Sequence, residues 1–240
     1  MYTILVTGAD RGLGAGMTKL LLQQGHRVIA GQYLPEWGEL AALKAQYPDR
    51  LWIVPLDVGN MESVKAAARQ VEEWFGSLDV LISNAGIAAR SGAATVRQAQ
   101  NYDDMLSVYN VNSLGPLRMV EAFLPLLEKS DVRRLGFVSS EAGSIGRSYR
   151  KEMFGYCMSK SALNMGISIL RNGLRPDGYT FRIYHPGWVR SYMSGQKNLR
   201  GDLEPDEAAV PAVAFFLSPN GSVDEDDPRL TCYEGKVWPW

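Results

Sequence analysis

The chain has 240 residues, 46% of them hydrophobic and 21% charged, enough to bury a core without help from disulfides or metal. A formal net charge of -1 gives no bulk attraction to nucleic acid or an anionic membrane, so neither is an expected partner. Two cysteines, Cys157 and Cys232, and two histidines, His26 and His185, show no zinc-like spacing, so neither a metal nor a disulfide is expected.

Short apolar runs alternate with segments of helical period, the pattern of a parallel sheet covered by helices. Tyr2–Thr7 reads as a buried strand. It has no basic segment before it and no small-residue cleavage site, and no apolar run reaches the ~18 residues of a membrane span, so a cytoplasmic protein is expected. A glycine-rich turn leads into a helix over Leu13–Gln24, closed by Gly25. The next expected elements are a strand over Arg27–Gln32, a short helix within Glu36–Gln46, a strand over Leu51–Val54, a helix over Met61–Phe75 and a strand over Val80–Ser83. Ala88–Tyr102 looks loose, and Asp103–Leu127 reads as one long helix. A strand over Arg134–Ser139, a helix over Glu152–Asn172 and a strand over Thr180–His185 follow. Ser191–Leu203 is loose again, Pro205–Leu217 is helical, Ser218–Pro228 is an acidic surface turn, and Leu230–Cys232 is a last short strand. The expectation is an α/β doubly wound Rossmann fold, an about seven-stranded parallel sheet with helices on both faces, as one domain over 1–240. Loops beyond the carboxyl ends of its strands are expected to build the ligand site, with a substrate loop at about 190–203.

The turn Thr7-Gly8-Ala9-Asp10-Arg11-Gly12-Leu13-Gly14 lies between a strand and a helix. Gly8 permits a sharp turn, Gly12 removes a side chain where a pyrophosphate must approach the backbone, and Gly14 permits close packing of the helix. The helix N-terminus offers free N–H groups and partial positive charge to phosphates. The glycine spacing differs from the G-x-G-x-x-G of two-domain dehydrogenases. Further along, Tyr156 and Lys160 stand four residues apart on a helical segment, hence on one face. An ammonium ~4–6 Å from a phenol favours the phenolate and lowers its pKa by roughly 1–3 units, toward the range useful in general acid/base catalysis. A buried tyrosine on a core-facing helix is the plain alternative.

Other landmarks accompany that pair in fixed order: Asp57-Val58 after the third strand, Asn84-Ala85-Gly86 after the fourth, Asn112 within the long helix, Ser140 after the fifth and His185-Pro186-Gly187 after the sixth. Together they make the chain resemble the short-chain dehydrogenase/reductase family of the single-domain type, over nearly its whole length. His185-Pro186-Gly187-Trp188-Val189 and the ending Tyr233–Trp240 look like the C-factor-like branch, which also includes carbonyl reductases.

The resemblance implies an NAD(P)-dependent oxidoreductase that moves a hydride between nicotinamide and a carbonyl or alcohol. Tyr156 would be the general acid/base. Lys160 would hold the ribose hydroxyls and acidify Tyr156, and Ser140 would hydrogen-bond the substrate oxygen. Asn112 would interrupt the helix ladder and hold a water toward Lys160. Cofactor contacts are expected at Gly8, Asp10, Arg11, Gly12, Leu13 and Gly14, at Asp57 and Val58, at Asn84, Ala85 and Gly86, at Tyr156 and Lys160, and at Pro186, Gly187, Val189 and Ser191. Gln32 and Tyr33 stand where NAD selection needs a carboxylate, and Arg11 can reach a 2′-phosphate, so NADP is expected in preference to NAD.

Arg147, Arg150, Lys151, Arg190, Lys197 and Arg200 read either as solvated loop charge or as a basic rim, with Glu141 able to pair with one of them. Trp188, Tyr192, Met193, Trp238 and Trp240 are candidates for an apolar pocket, and the Trp-Pro-Trp ending is expected to pack on its own or a neighbouring subunit. A homodimer or homotetramer through the helices at Asp103–Leu127 and Glu152–Asn172 is expected from the resemblance. The alternatives are a cofactor-binding regulatory or signalling protein with little turnover, and a sugar-nucleotide epimerase, which the glycine spacing disfavours.

Overall fold

The computed structural model describes residues 1–89, 94–193 and 195–240, so parts of both loose stretches lie outside the described residues. One sheet holds eight strands in the order β3-β2-β1-β4-β5-β6-β7-β8. These are β1 (Thr3–Val6), β2 (Arg27–Gln32), β3 (Leu51–Pro55), β4 (Val80–Ser83), β5 (Arg134–Val138), β6 (Thr180–His185), β7 (Leu230–Cys232) and β8 (Val237–Trp238). The first seven run parallel, and β8 turns back antiparallel on β7. Every residue of β1, β4 and β5 is buried, as expected for strands covered on both faces.

Alternating side chains feed two cores. Ile4 and Val6 point to the face covered by α1 (Gly12–Gln23), α2 (Glu39–Gln46) and α7 (Pro205–Phe216), where Leu21, Leu40 and Phe216 are fully buried. Leu5 points to the face covered by α3 (Met61–Phe75), α5 (Gly115–Leu127) and α6 (Phe154–Leu174), with Val64, Phe123 and Ile167. Local chemistry sets the helix ends. Asn60 caps α3 by accepting from the Glu62 and Ser63 amides, and Gly76 closes it in the left-handed region.

Two expectations need correction. The eighth strand was not foreseen. It is two residues long and has no periodicity of its own, existing because the chain folds back on Leu230 and Thr231. The segment read as one long helix is three pieces: α4 (Tyr102–Tyr109), a π segment (Asn110–Leu114) and α5. Pro116 has no N–H to give the Asn112 carbonyl four residues earlier, so the ladder widens, and the Gly115 amide bonds Asn110 instead. Among the described residues, no helix is long and apolar enough to cross a membrane.

Candidate active site

At the carboxyl ends of the parallel strands, the turn after β1 meets the segments after β4, β5 and β6. Gly8 and Gly12 both take positive φ, 61° and 57°, which residues with a Cβ adopt at a cost. Gly14 is needed for a reason other than the expected packing of helix on sheet. A Cβ there would lie 2.1 Å from the Gly8 carbonyl and 2.6 Å from Asn84 Nδ2. That amide donates to the Thr7 and Gly8 carbonyls, at 2.9 and 3.1 Å, while Thr7 Oγ1 accepts from the Asn84 and Ala85 amides. Thr7 is therefore the knot between β1 and β4. Its signal was visible as the hydroxyl residue closing the first strand.

Asp10 is buried, and its Oδ1 accepts from the Tyr33 amide at 3.0 Å, tying the turn to the end of β2 at Gln32. Arg11 heads α1 without a side-chain cap, and the first turn of α1 carries no acid. Its guanidinium lies over Trp37, 4.9 Å from the ring centre, and over Tyr192 at 5.6 Å. Trp37 carried no signal in the sequence beyond being an aromatic in a loop. Leu13 and Val58 are buried, Tyr33 is exposed, and Asp57 Oδ1 is engaged by the Gly59 amide.

The loop after β5 is bolted to α6. Ser139 Oγ donates to Asn164 Oδ1 at 2.6 Å, and the Gly143 carbonyl accepts from Ser161 and Asn164. This brings the Ser140 hydroxyl near enough to Tyr156 to favour the ionised phenol. Tyr156 keeps some exposure as a residue, but protein crowds its hydroxyl, and burial pushes the phenol up to about 12; the Ser140 bond offsets part of that. Burial is the largest influence on the phenol and Lys160 is not among the main ones, so the lowering expected from the ammonium is not found.

Lys160 is buried, and its Nζ donates to the Val138 carbonyl at 3.0 Å and lies 5.9 Å from the Tyr156 ring centre. Burial brings this ammonium down to about 8. Asn112 is fully buried in the π segment. Its Oδ1 accepts from the Ile87 amide at 2.9 Å, and its Nδ2 donates to the Ile87 carbonyl and to Ser159 Oγ. The side chain braces three elements, and a second lone pair on Oδ1 is all it has left to offer a water.

Beyond β6, Gly187 takes φ 80° against the Tyr233 ring, and Pro186 stays partly buried. Val189 and Leu203 form a parallel bridge that closes the base of the following loop. That loop crosses the glycine turn: Ser191 Cβ lies 3.6 Å from a Cβ built on Gly12, and Arg11 Nη2 donates to the Tyr192 carbonyl at 3.4 Å. Two carboxylates offset part of the basic rim. Arg150 pairs with Glu141, Arg190 and Lys197 share Glu204, and Arg147 stacks on Trp238. The five apolar candidates do not form one wall. Tyr192 packs on Trp37, Trp188 is exposed, and Trp238 stands edge-on to His185. The chain's end lies on its own fold, with the Trp240 carbonyl accepting from the Gly146 amide at 2.8 Å and the Pro239 carbonyl from Ser144 Oγ.

These features fit a nicotinamide dinucleotide. Uncapped amides at the start of α1 suit a diphosphate. Gly86 lies against the ammonium and the asparagine: an added Cβ would come within 3.7 Å of Lys160 Nζ and 3.3 Å of Asn112 Oδ1.

The model of the short chain dehydrogenase family matches residues 2–201. The chain is 36% identical over 169 residues to the C-signal of Myxococcus xanthus, covering 69% of this chain and 94% of that protein. It is 32% identical over 214 residues to 1-hydroxy-2-glutathionyl-2-methyl-3-butene dehydrogenase of Rhodococcus, 88% of each chain. Among solved structures, an NADPH-bound carbonyl reductase from chicken fatty liver superposes with a TM-score of 0.87 at 34% identity, over 100% of this chain and 99% of that one. The sheet order, the glycine turn and these likenesses agree: the chain belongs to the short-chain dehydrogenase family of oxidoreductases.

Proposed function

We propose that the protein is an NADP(H)-dependent carbonyl reductase in which Tyr156 protonates the carbonyl oxygen. The observation that carries this is a buried Lys160 whose Nζ lies 5.9 Å from the Tyr156 ring centre and beside Gly86, with the Ser140 hydroxyl acting on the phenol. A phenol raised to about 12 stays protonated at neutral pH, which is the form that gives a proton away in reduction. Ser140 holds the same substrate oxygen. Lys160, Asn84 and the main chain at 186–191 position the nicotinamide end, and Gly8, Gly12, Leu13 and Gly14 meet the diphosphate. Asp57, Val58, Gln32 and Tyr33 lie toward the adenosine. The bound dinucleotide supplies the hydride. NADP is favoured because Gln32 brings no carboxylate to the end of β2, because Arg11 offers a guanidinium at the glycine turn, and because the chicken relative holds NADPH.

By the same reading the protein works in the cytoplasm as a homodimer or homotetramer. Exposed Met158, Met165 and Ile169 on α6 and Leu106 on α4 offer the apolar face. The likeness to C-signal keeps a regulatory role in view, with turnover secondary. One experiment separates the two. NADPH oxidation is followed against a panel of aldehydes, ketones and quinones, with cofactor affinity measured by fluorescence. Turnover that disappears in Tyr156→Phe while NADPH still binds supports the reductase. An unaffected Tyr156→Phe, or no turnover across the panel, removes it.

A further inference from the structure

The family assignment leaves one feature of the cleft unused, an ion pair set directly behind the serine. Glu141 is the residue after Ser140, and Arg150 lies on the loop that leads to α6. Both guanidinium ends of Arg150 reach the carboxylate: Nη2 bonds Glu141 Oε1, and Nη1 lies 3.2 Å from Oε2. The pair is mostly covered, at 22% and 19% side-chain exposure, so water screens it weakly. The same Oε2 is 3.3 Å from Ser140 Oγ and accepts its proton. The serine oxygen also accepts from the Ala142 amide at 3.1 Å.

That arrangement sets up a competition. Reduction needs the Ser140 proton pointed at the substrate oxygen, whereas a lone carboxylate at 3.3 Å would keep it. Arg150 occupies both carboxylate oxygens and weakens that hold. It also cancels the negative charge that Glu141 brings toward Tyr156. We propose that Arg150 is a positioning residue for the reaction, pairing with Glu141 so that the Ser140 hydroxyl is released to the substrate. This rests on the reading of Tyr156 as the proton donor.

Ser140, Glu141 and Arg150 act on Tyr156 from the loop after β5, and Cys157 and Lys160 lie on its own helix; His185, at the end of β6, is in the field of Glu141, Arg150 and Lys160. Glu141 pushes the phenol up and Arg150 draws it down, while burial keeps the His185 imidazole low and the Cys157 thiol high.

The test is a cycle of Arg150→Ala, Glu141→Gln and the double variant. It uses the carbonyl compound the wild type reduces best, with kcat and KM measured at pH 7, NADPH affinity by fluorescence, and melting temperature. In Arg150→Ala the unpaired carboxylate should hold the Ser140 proton, so kcat should fall about tenfold while KM and NADPH affinity stay unchanged, because hydrogen bonds to a charged acceptor are the stronger ones. In Glu141→Gln that acceptor is gone and kcat should stay near wild type. The double variant should regain most of the kcat that Arg150→Ala loses, with NADPH affinity unchanged in all three. If Arg150→Ala keeps its kcat, or the double variant is no better than Arg150→Ala, the pair merely fastens the loop and the inference is wrong. A wild type without turnover, or an active Tyr156→Phe, would instead remove the underlying reading of Tyr156.

Discussion

Lys160→Met offers a test of how far this site is built at the expense of stability. Burial takes the ammonium from an ordinary 10.5 down to about 8, so the folded protein binds this proton less tightly than the unfolded chain. The sign follows from linkage: between about pH 8 and 10.5 the unfolded state holds more of this proton, and stability rises with pH across that window. The shift corresponds to about 3 kcal/mol. Below pH 8 wild type carries the whole penalty, and above 10.5 it carries none. Methionine fills the same volume without charge but leaves the Val138 carbonyl without its 3.0 Å donor, a loss of about 1–3 kcal/mol. At pH 7 the variant should be equal to wild type or up to about 2 kcal/mol more stable, and above pH 10.5 it should be the less stable of the two. The assay is urea unfolding of both proteins, without added nucleotide, from pH 7 to 10.5. The difference between them is the quantity to read, because Tyr156, Tyr179 and Cys157 are raised in both and cancel. A stability difference that stays flat over this range would refute the argument that Lys160 is held charged against its burial.

Three further outcomes follow from packing. Gly14→Ala, which elsewhere in a helix would stabilise by about 1 kcal/mol, should instead lower the melting temperature by several degrees and abolish NADPH binding in a fluorescence titration, because its Cβ meets the Gly8 carbonyl at 2.1 Å. Arg182 is fully buried on β6, 2.8 Å from Glu225, whose carboxylate oxygens have no hydrogen bond of their own. Arg182→Leu should cost about 3–5 kcal/mol in urea unfolding, with much of it recovered in the double variant Arg182→Leu/Glu225→Leu. Ile169→Lys, on the exposed face of α6, should shift the mass measured by light scattering toward the monomer; an unchanged mass would remove this face as the subunit contact.

The glycine turn was legible because backbone geometry demands particular residues there: positive φ at Gly8 and Gly12 can be anticipated from composition. The serine, tyrosine and lysine were legible by order and spacing, and the long buried strands by their unbroken apolar runs. The π segment could have been read from Gly115-Pro116, where a proline withdraws a donor from the ladder. Other features had no local signature. Trp37 reaches Arg11 only through the packing of two loops, and Glu141 had several possible cations until the fold brought Arg150 to it.

The chain's own pattern thus determined the strand and helix alternation, the glycine turn and the side chains proposed for the reaction, since each depends on residues near one another along the chain. The tertiary structure decided the eighth strand, the seating of the C-terminal tail on Gly146, and the ionisation of Tyr156 and Lys160. The reason is that burial and charge act through space. A lysine one turn from a tyrosine predicts an acidic phenol only if its charge is spent on the phenol; here the ammonium donates to the Val138 carbonyl, and burial is the larger effect on both groups.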